Sequence, residues 1–356
     1  MGLFYLGLVI VPAHLRHSAA IIVVSLILCL PSVAEESMHK ERPQLNVTRL
    51  LDQPILHVDD DQSHEGNING PSLIRVPSWI ENPLARYYLY FSHHEGDHIR
   101  MAYADNLHGP WTLYEGGVLS LNKSYFPITA PKLEDLDPRV KAYVKSGADG
   151  LYPHIASPDV LVDAPSQSIR LYYHGRMADG IQSTRVATSE DGLHFTAHPQ
   201  VLGRSYFRVI RHNQWYYALA MPGVVYRSKN GLVDFESGNR LFNDNMRHSA
   251  LFIAGETLYV FWTQVGDAPE RILLSKIDLT VDWKDWQEQD EAEILRPQMP
   301  WEGALEPVLP SKRGSVMHPV NEIHDPGIYS EDGKTYLLYS IAGEQGIGIA
   351  RITGFE

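Results

Sequence analysis

Cysteine is almost absent from this chain. The single one in 356 residues, Cys29, sits in an apolar leader, so the segment beyond it has no disulfide and no thiolate chemistry to offer. Clusters of positive charge are missing as well. The formal net charge is −13 and the 30 Lys and Arg residues are scattered, without the basic stripe of a nucleic-acid binder. Past the leader there is no second long apolar run, no low-complexity tract and no heptad repeat. Helical periodicity is confined to Leu133–Ser146, where Pro138 is expected to interrupt it. His94-Glu95-Gly96-Asp97-His98 has the H-E-x-x-H spacing and His194–His198 the H-x-x-x-H spacing, but both fall in turn stretches beside strands, not on the helix that would set the two histidines on one face, so neither marks a metal centre.

The leader has its own pattern. Arg16 and His17 precede an apolar run from Ser18 to Leu30, followed by Pro31 and the small-residue triplet Ser32-Val33-Ala34. A positive end, a short apolar core and an A-x-A-like site make a secretory signal. At about 13 residues the run is short of the ~20 a membrane span needs. Residues 1–34 are therefore expected to be a signal peptide or N-terminal anchor, and the protein to be secreted or periplasmic. A membrane would be a partner only if the leader is retained. Residues 35–60 are expected as a lead-in and 61–356 as the folded domain.

What the rest of the chain has is repetition. Five aromatic and β-branched stretches alternate with turn residues: Tyr87–Phe91, Ile169–Tyr173, Trp215–Leu219, Leu258–Trp262 and Thr335–Tyr339. Each reads as a strand, with an apolar strand before it and a strand ending in small polar residues after it. Two of these units end in related turns, Ser189-Glu190-Asp191-Gly192 and Ser228-Lys229-Asn230-Gly231. Repeated units of this kind, with up to four strands in about 40 residues, are the signature of propeller blades. The expected fold is all-β, a five-bladed β-propeller, with insertions near 114–152 and 285–320 that can wall a pocket on one face.

In such a fold the first strand of each blade lines the axis. The five strand starts are Asn69-Gly70-Pro71-Ser72, Ala156-Ser157-Pro158-Asp159 with His154 before it, Ser205–Arg208, Arg247-His248-Ser249, and His324-Asp325-Pro326 with Glu322 before it. Polar and charged residues recur at one point of the unit. Such groups are seldom buried without a partner or a task.

The Asp325-Pro326-Gly327-Ile328-Tyr329 and Ser157-Pro158-Asp159-Val160 stretches resemble the inner-strand motifs of the five-bladed propeller glycoside hydrolases, the superfamily of family 43, 32 and 117 enzymes. Gly109-Pro110-Trp111 and the Asp191-Gly192 turn resemble their blade edges. The resemblance spans about residues 60–353. It implies a carbohydrate substrate, no required cofactor, and a trio of carboxylates in which one must be protonated and one ionised. The candidates are Asp159, Asp325 and Glu306, with Glu322 competing for the acid role. Asn69, His154, Arg208, Arg247, His248, Glu322, His324 and Trp301 are the candidate substrate-binding residues. The sequence departs from the family on blade one, where the usual Asp is replaced by Asn69 or Ser72. An axial calcium ion is compatible with the resemblance. A non-catalytic carbohydrate-binding propeller and a polysaccharide lyase using His and Tyr are the alternatives to a glycosidase.

Overall fold

The computed structural model describes residues 45–60, 66–145 and 150–355. The leader, including Cys29, lies outside the described residues. Among those described, no helix is long and apolar enough to cross a membrane.

Five antiparallel sheets follow one another along the chain. Blade one runs Asn69–Arg75, Tyr87–Ser92, His98–Ala104 and Thr112–Leu113. Blade two runs Ile155–Asp163, Ser168–Arg176, Gln182–Ser189 and Thr196–Ala197. Blade three is Arg208–His212, Trp215–Ala220, Val224–Ser228 and Glu236–Arg240. Blade four is Met246–Ala254, Thr257–Gln264, Ile272–Asp278 and Gln289–Leu295. Blade five is His324–Glu331, Lys334–Ser340 and Gly346–Thr353. Its outermost strand comes from the other end of the chain: Asn46–Arg49 pairs antiparallel with Gly346–Thr353, and Leu56–His57 pairs with the same strand. The segment expected as a lead-in thus supplies the fourth strand of the last blade. Each inner strand touches the inner strands on either side, and the ring closes between blades five and one.

The repeated tyrosines explain how blades hold one another. Tyr90 of blade one donates its hydroxyl to the Gly192 carbonyl in the turn of blade two (2.9 Å), and Tyr172 of blade two does the same to Gly231 of blade three (2.8 Å). Both turns are built alike. Ser189 Oγ accepts the Gly192 N–H while Asp191 Oδ1 accepts from Leu193 and His194. Ser228 Oγ accepts the Gly231 N–H while Asn230 Oδ1 accepts from Leu232 and Val233. A short side chain accepting from the backbone two or three residues on is the usual way such turns are fixed. The recurring Ser-x-Asp/Asn-Gly is therefore a docking point for the preceding blade.

Pro138 does not interrupt a helix but starts one, Pro138–Lys145. Proline lacks only an N–H that the first helical turn leaves unpaired anyway. The Asp137 carboxylate accepts the Arg139 N–H at 2.8 Å.

Candidate active site at the propeller hub

Four inner strands carry a register shift at the same place. Asn69 faces Ser92 and Ser72 faces Tyr90; Ala156 faces His174 and Asp159 faces Tyr172; Met246 faces Gln264 and Ser249 faces Trp262; His324 faces Ser340 and Gly327 faces Leu338. Two residues bulge from each strand toward the hub, a device that re-aims side chains. The first bulged residue is Gly70, Ser157, Arg247 and Asp325 in turn. Three of these, and Tyr206 just before the blade-three strand, have left-handed backbones: φ is +64° at Gly70, +50° at Ser157, +65° at Tyr206 and +48° at Asp325. Only blade five places a carboxylate there.

Asp159 stands two residues further on, equivalent to Ser72 and Ser249, and its side chain turns sideways. Ser72 Oγ accepts the Val160 N–H of the next blade (2.8 Å), Asp159 Oδ2 accepts the Val209 N–H of the next (2.7 Å), and Arg208 Nε donates to the Ser249 carbonyl of the one after (2.9 Å). Arg208 also donates to the Pro158 carbonyl at 2.9 Å. These are ties from blade to blade. Burial raises the Asp159 carboxyl in spite of Arg208 beside it. Asp159 and Asp325 are thus both on inner strands, but only Asp325 joins the polar cluster described next.

Asp325 is buried between two imidazoles. His324 Nδ1 lies 2.9 Å from its Oδ2 and His248 Nδ1 lies 2.9 Å from its Oδ1. Burial alone would raise the carboxyl, but the two imidazoles hold it well below the ordinary range. His324 is raised, its burial outweighed by Asp325, whereas burial takes His248 down to about 4. Glu322, three residues before Asp325, is buried with its Oε2 lacking a hydrogen bond and 3.9 Å from Arg247. Burial raises it. Arg247 itself is clamped by Glu270, with both contacts at 2.8 Å.

A cavity of about 1150 Å³ opens over this cluster, and Arg247, His248, Tyr206 and His94 line it. His94 Nδ1 meets Glu344 Oε1 at 2.7 Å, and Asn67 donates to the other oxygen at 2.6 Å. Burial opposes the ionised Glu344, but His94 brings it down to about 2. A continuous belt of rings borders the cluster. Tyr152 lies 5.1 Å from His154, His154 5.4 Å from His174, His174 4.4 Å from Tyr206, Tyr206 4.9 Å from His248 and His248 5.2 Å from His324.

The other expected residues divide. Asn69 is buried at the hub, accepting from Ser92 Oγ and donating to Asn67, both at 3.0 Å. Glu306 does not reach the hub: its side chain is exposed, and its backbone carbonyl accepts from Asn321. The buried acid of that segment is Glu302, which accepts from Arg49 Nε and Nη2, each at 2.7 Å, and from the Tyr339 hydroxyl at 2.9 Å, fastening the closing strand. Trp301 is half-buried and packs against the core between blades four and five rather than lining the cavity. His174, Tyr206, His94, Glu270 and Glu344 are site residues that lining up strand starts does not single out.

Asp325, His248 and His324 are the described residues that could hold one ion, with donor atoms within 4.8 Å of each other. Two imidazole nitrogens and one carboxylate oxygen do not fit calcium, which takes roughly six to eight oxygens. His324 Nδ1 already makes a hydrogen bond with the carboxylate and His248 Nδ1 lies at ion-pair distance from its other oxygen, so the trio is read as a polar unit held by Asp325.

No family model matches the chain. In sequence, it is 33% identical over 338 residues to "Uncharacterized protein R118" of Acanthamoeba polyphaga mimivirus, covering 87% of this chain and 91% of that one. The chain belongs to the family of that viral protein. In structure, it is similar to CoXyl43, a GH43 β-xylosidase/α-arabinofuranosidase from a compost microbial metagenome (TM-score 0.52, 12% identity, 85% of this chain and 92% of that chain). It is similar in the same degree to the GH43_1 enzyme from Xanthomonas citri (0.52, 13%, 86% and 90%) and to an endo-1,4-β-xylanase from Bacteroides thetaiotaomicron (0.52, 13%, 82% and 91%). The viral relative and this chain therefore share a family, and the fold of this chain is that of the five-bladed GH43 propellers.

Proposed function

We propose that the protein is a glycoside hydrolase that handles protons with Glu322 and the His248–Asp325 pair. The observation that carries this reading is geometric. A cavity-lining imidazole is backed at 2.9 Å by a buried carboxylate, and a second carboxyl three residues away sits against a cavity-lining arginine. An imidazole oriented by a carboxylate is the arrangement of a general base. Cleavage of a glycosidic bond needs that base and an acid.

In the step proposed, His248 takes a proton from water as its oxygen bonds to the anomeric carbon. Glu322, which sits behind the cavity-lining Arg247, gives a proton through one water to the departing glycosidic oxygen as the old bond breaks. Solvent exchange then returns the proton from His248 to Glu322. The directions of the shifts support these roles: Asp325 stays ionised, His248 stays neutral, and Glu322 holds its proton more firmly than an exposed glutamate.

The test is turnover of an oligosaccharide panel by wild type, Glu322→Gln, His248→Asn and Asp325→Asn, each checked for an unchanged melting temperature. Losing a general acid or base lowers turnover by about 10²–10⁴-fold. Equal turnover in all four proteins would refute the assignment. Scanning the same incubations for ultraviolet absorbance detects the unsaturated product a lyase would make. A second reading, carbohydrate binding without turnover, is favoured by one observation: Gly70 and Ser157 stand where blade five has Asp325. Sugar binding by wild type with no cleavage of any substrate would select it.

A further inference from the structure

The cavity wall has a charge balance opposite to that of the chain. Five arginines line it, Arg139, Arg204, Arg240, Arg247 and Arg313, against two acids, Glu95 and Asp244, in a protein of net charge −13. Three of the five are neutralised in place. Arg139 is paired with Asp137, Arg240 with Asp244 and Arg247 with Glu270. The remaining two are not. Arg313 donates only to the Asp244 backbone carbonyl, at 2.7 Å. Among the described residues, neither Arg204 nor Arg313 has a carboxylate partner. Arg204 ends the short strand Gly203–Arg204 that pairs with blade two, and Arg313 lies in the segment joining blades four and five. The two therefore approach the cavity from different elements.

Guanidinium groups present parallel donors that match carboxylate and sulfate oxygens. A concave site concentrates the field of the charges lining it. A neutral sugar would leave both cations without a counter-charge, while a sugar with an anionic group would supply one.

We propose that the cavity takes an anionic glycan, a uronate or a sulfated sugar, whose charged group pairs with Arg204 and Arg313. This rests on the reading of the hub as a carbohydrate site and names its substrate class. It also gives the exposed Arg204 a task that folding does not require, since among the described residues its side chain makes no hydrogen bond or ion pair that holds the blades.

The experiment is calorimetric binding, which does not depend on turnover. Neutral xylo-oligosaccharides, oligouronates of the same length and sulfated oligosaccharides are titrated into wild type, Arg204→Gln, Arg313→Gln and the double variant. The anionic ligands should bind at least tenfold more tightly than the neutral ones. Each substitution should weaken anionic binding roughly tenfold, as expected for one charged hydrogen-bonded contact, leaving neutral binding unchanged. Added salt should narrow the difference. The oligouronate and sulfated arms say which anion is meant. Equal affinity for neutral and charged ligands, no binding of any of them, or anionic binding indifferent to both substitutions overturns the proposal. Tight anionic binding without cleavage would instead keep this inference and remove the hydrolase reading; cleavage of neutral sugars alone would do the reverse.

Discussion

Replacing Asp159 separates a blade tie from a catalytic acid. Its Oδ2 accepts the N–H of Val209 at 2.7 Å, and Val209 is buried. Asparagine can keep that bond through its amide oxygen and removes only the charge. The charge contributes little, because burial outweighs the pull of Arg208 and raises the carboxyl. Asp159→Asn should thus stay within about 1 kcal/mol of wild type, the size of a small polar adjustment. Alanine removes the acceptor and orphans a buried N–H, at about 1–3 kcal/mol. In domains of roughly 150–250 residues, 1 kcal/mol moves the melting temperature by about 2–4 °C. Alanine should therefore lower it by several degrees and asparagine by hardly any. Differential scanning calorimetry measures this, and turnover measured below the transition should be near that of wild type in both. An asparagine variant that melts like wild type but has lost turnover a hundredfold would refute the argument and restore Asp159 as a catalytic group.

Two further predictions concern the ring itself. Burial lowers His154 from 6.5 to about 3, so the unfolded chain binds its proton first. Its contribution is complete above pH 6.5 and is lost as pH falls from there toward 3, at no more than about 1.4 kcal/mol per pH unit. His154→Phe should flatten the acid limb of a urea-unfolding series, and an unchanged limb would contradict this. A Cβ on Gly327 would sit 2.3 Å from the Pro71 carbonyl oxygen, where blade five meets blade one. Gly327→Ala should cost roughly 1–3 kcal/mol of stability; a melting temperature equal to that of wild type would mean the closure gives way freely.

Much of the fold was legible because it is written in short-range patterns. The tyrosine-rich strands and the Ser-x-Asp/Asn-Gly turns announce the repeat residue by residue. The strand that closes blade five was not legible, since Asn46–Arg49 is four residues long and its partner lies some three hundred positions away. The site divides by the same logic. Asp325, His248, His324 and Arg247 stand on inner-strand starts and are found by lining those up. Glu270 and Glu344 lie in connections after second strands, off any strand register, and no periodicity points to them. The choice between Glu302 and Glu306 shows a finer limit. Spacing cannot say which acid faces inward. A tight turn at Pro300–Glu302, ended by Gly303 at φ +83°, buries the first and leaves the second in solvent.

The register of the bulges carries the functional argument one step further. If chemistry at this hub required a carboxylate on the bulge of every working blade, Gly70 and Ser157 would leave blades one and two without function. The bulges there do something else. Gly70 lets blade one approach blade two, its missing Cβ lying 3.2 Å from the Ser157 Cα, and the Ser157 N–H is received by Ser92 Oγ at 3.1 Å. Acid groups have instead gathered beside blades four and five, on Glu270, Glu322, Asp325 and Glu344, each against a cation or imidazole or within reach of one. A site concentrated on one side of the axis leaves the blade-two side to Arg204 and the Tyr152–His154–His174 end of the ring belt. That asymmetry suits a substrate whose anionic group lies between Arg204 and Arg313 and whose scissile bond lies toward blade five.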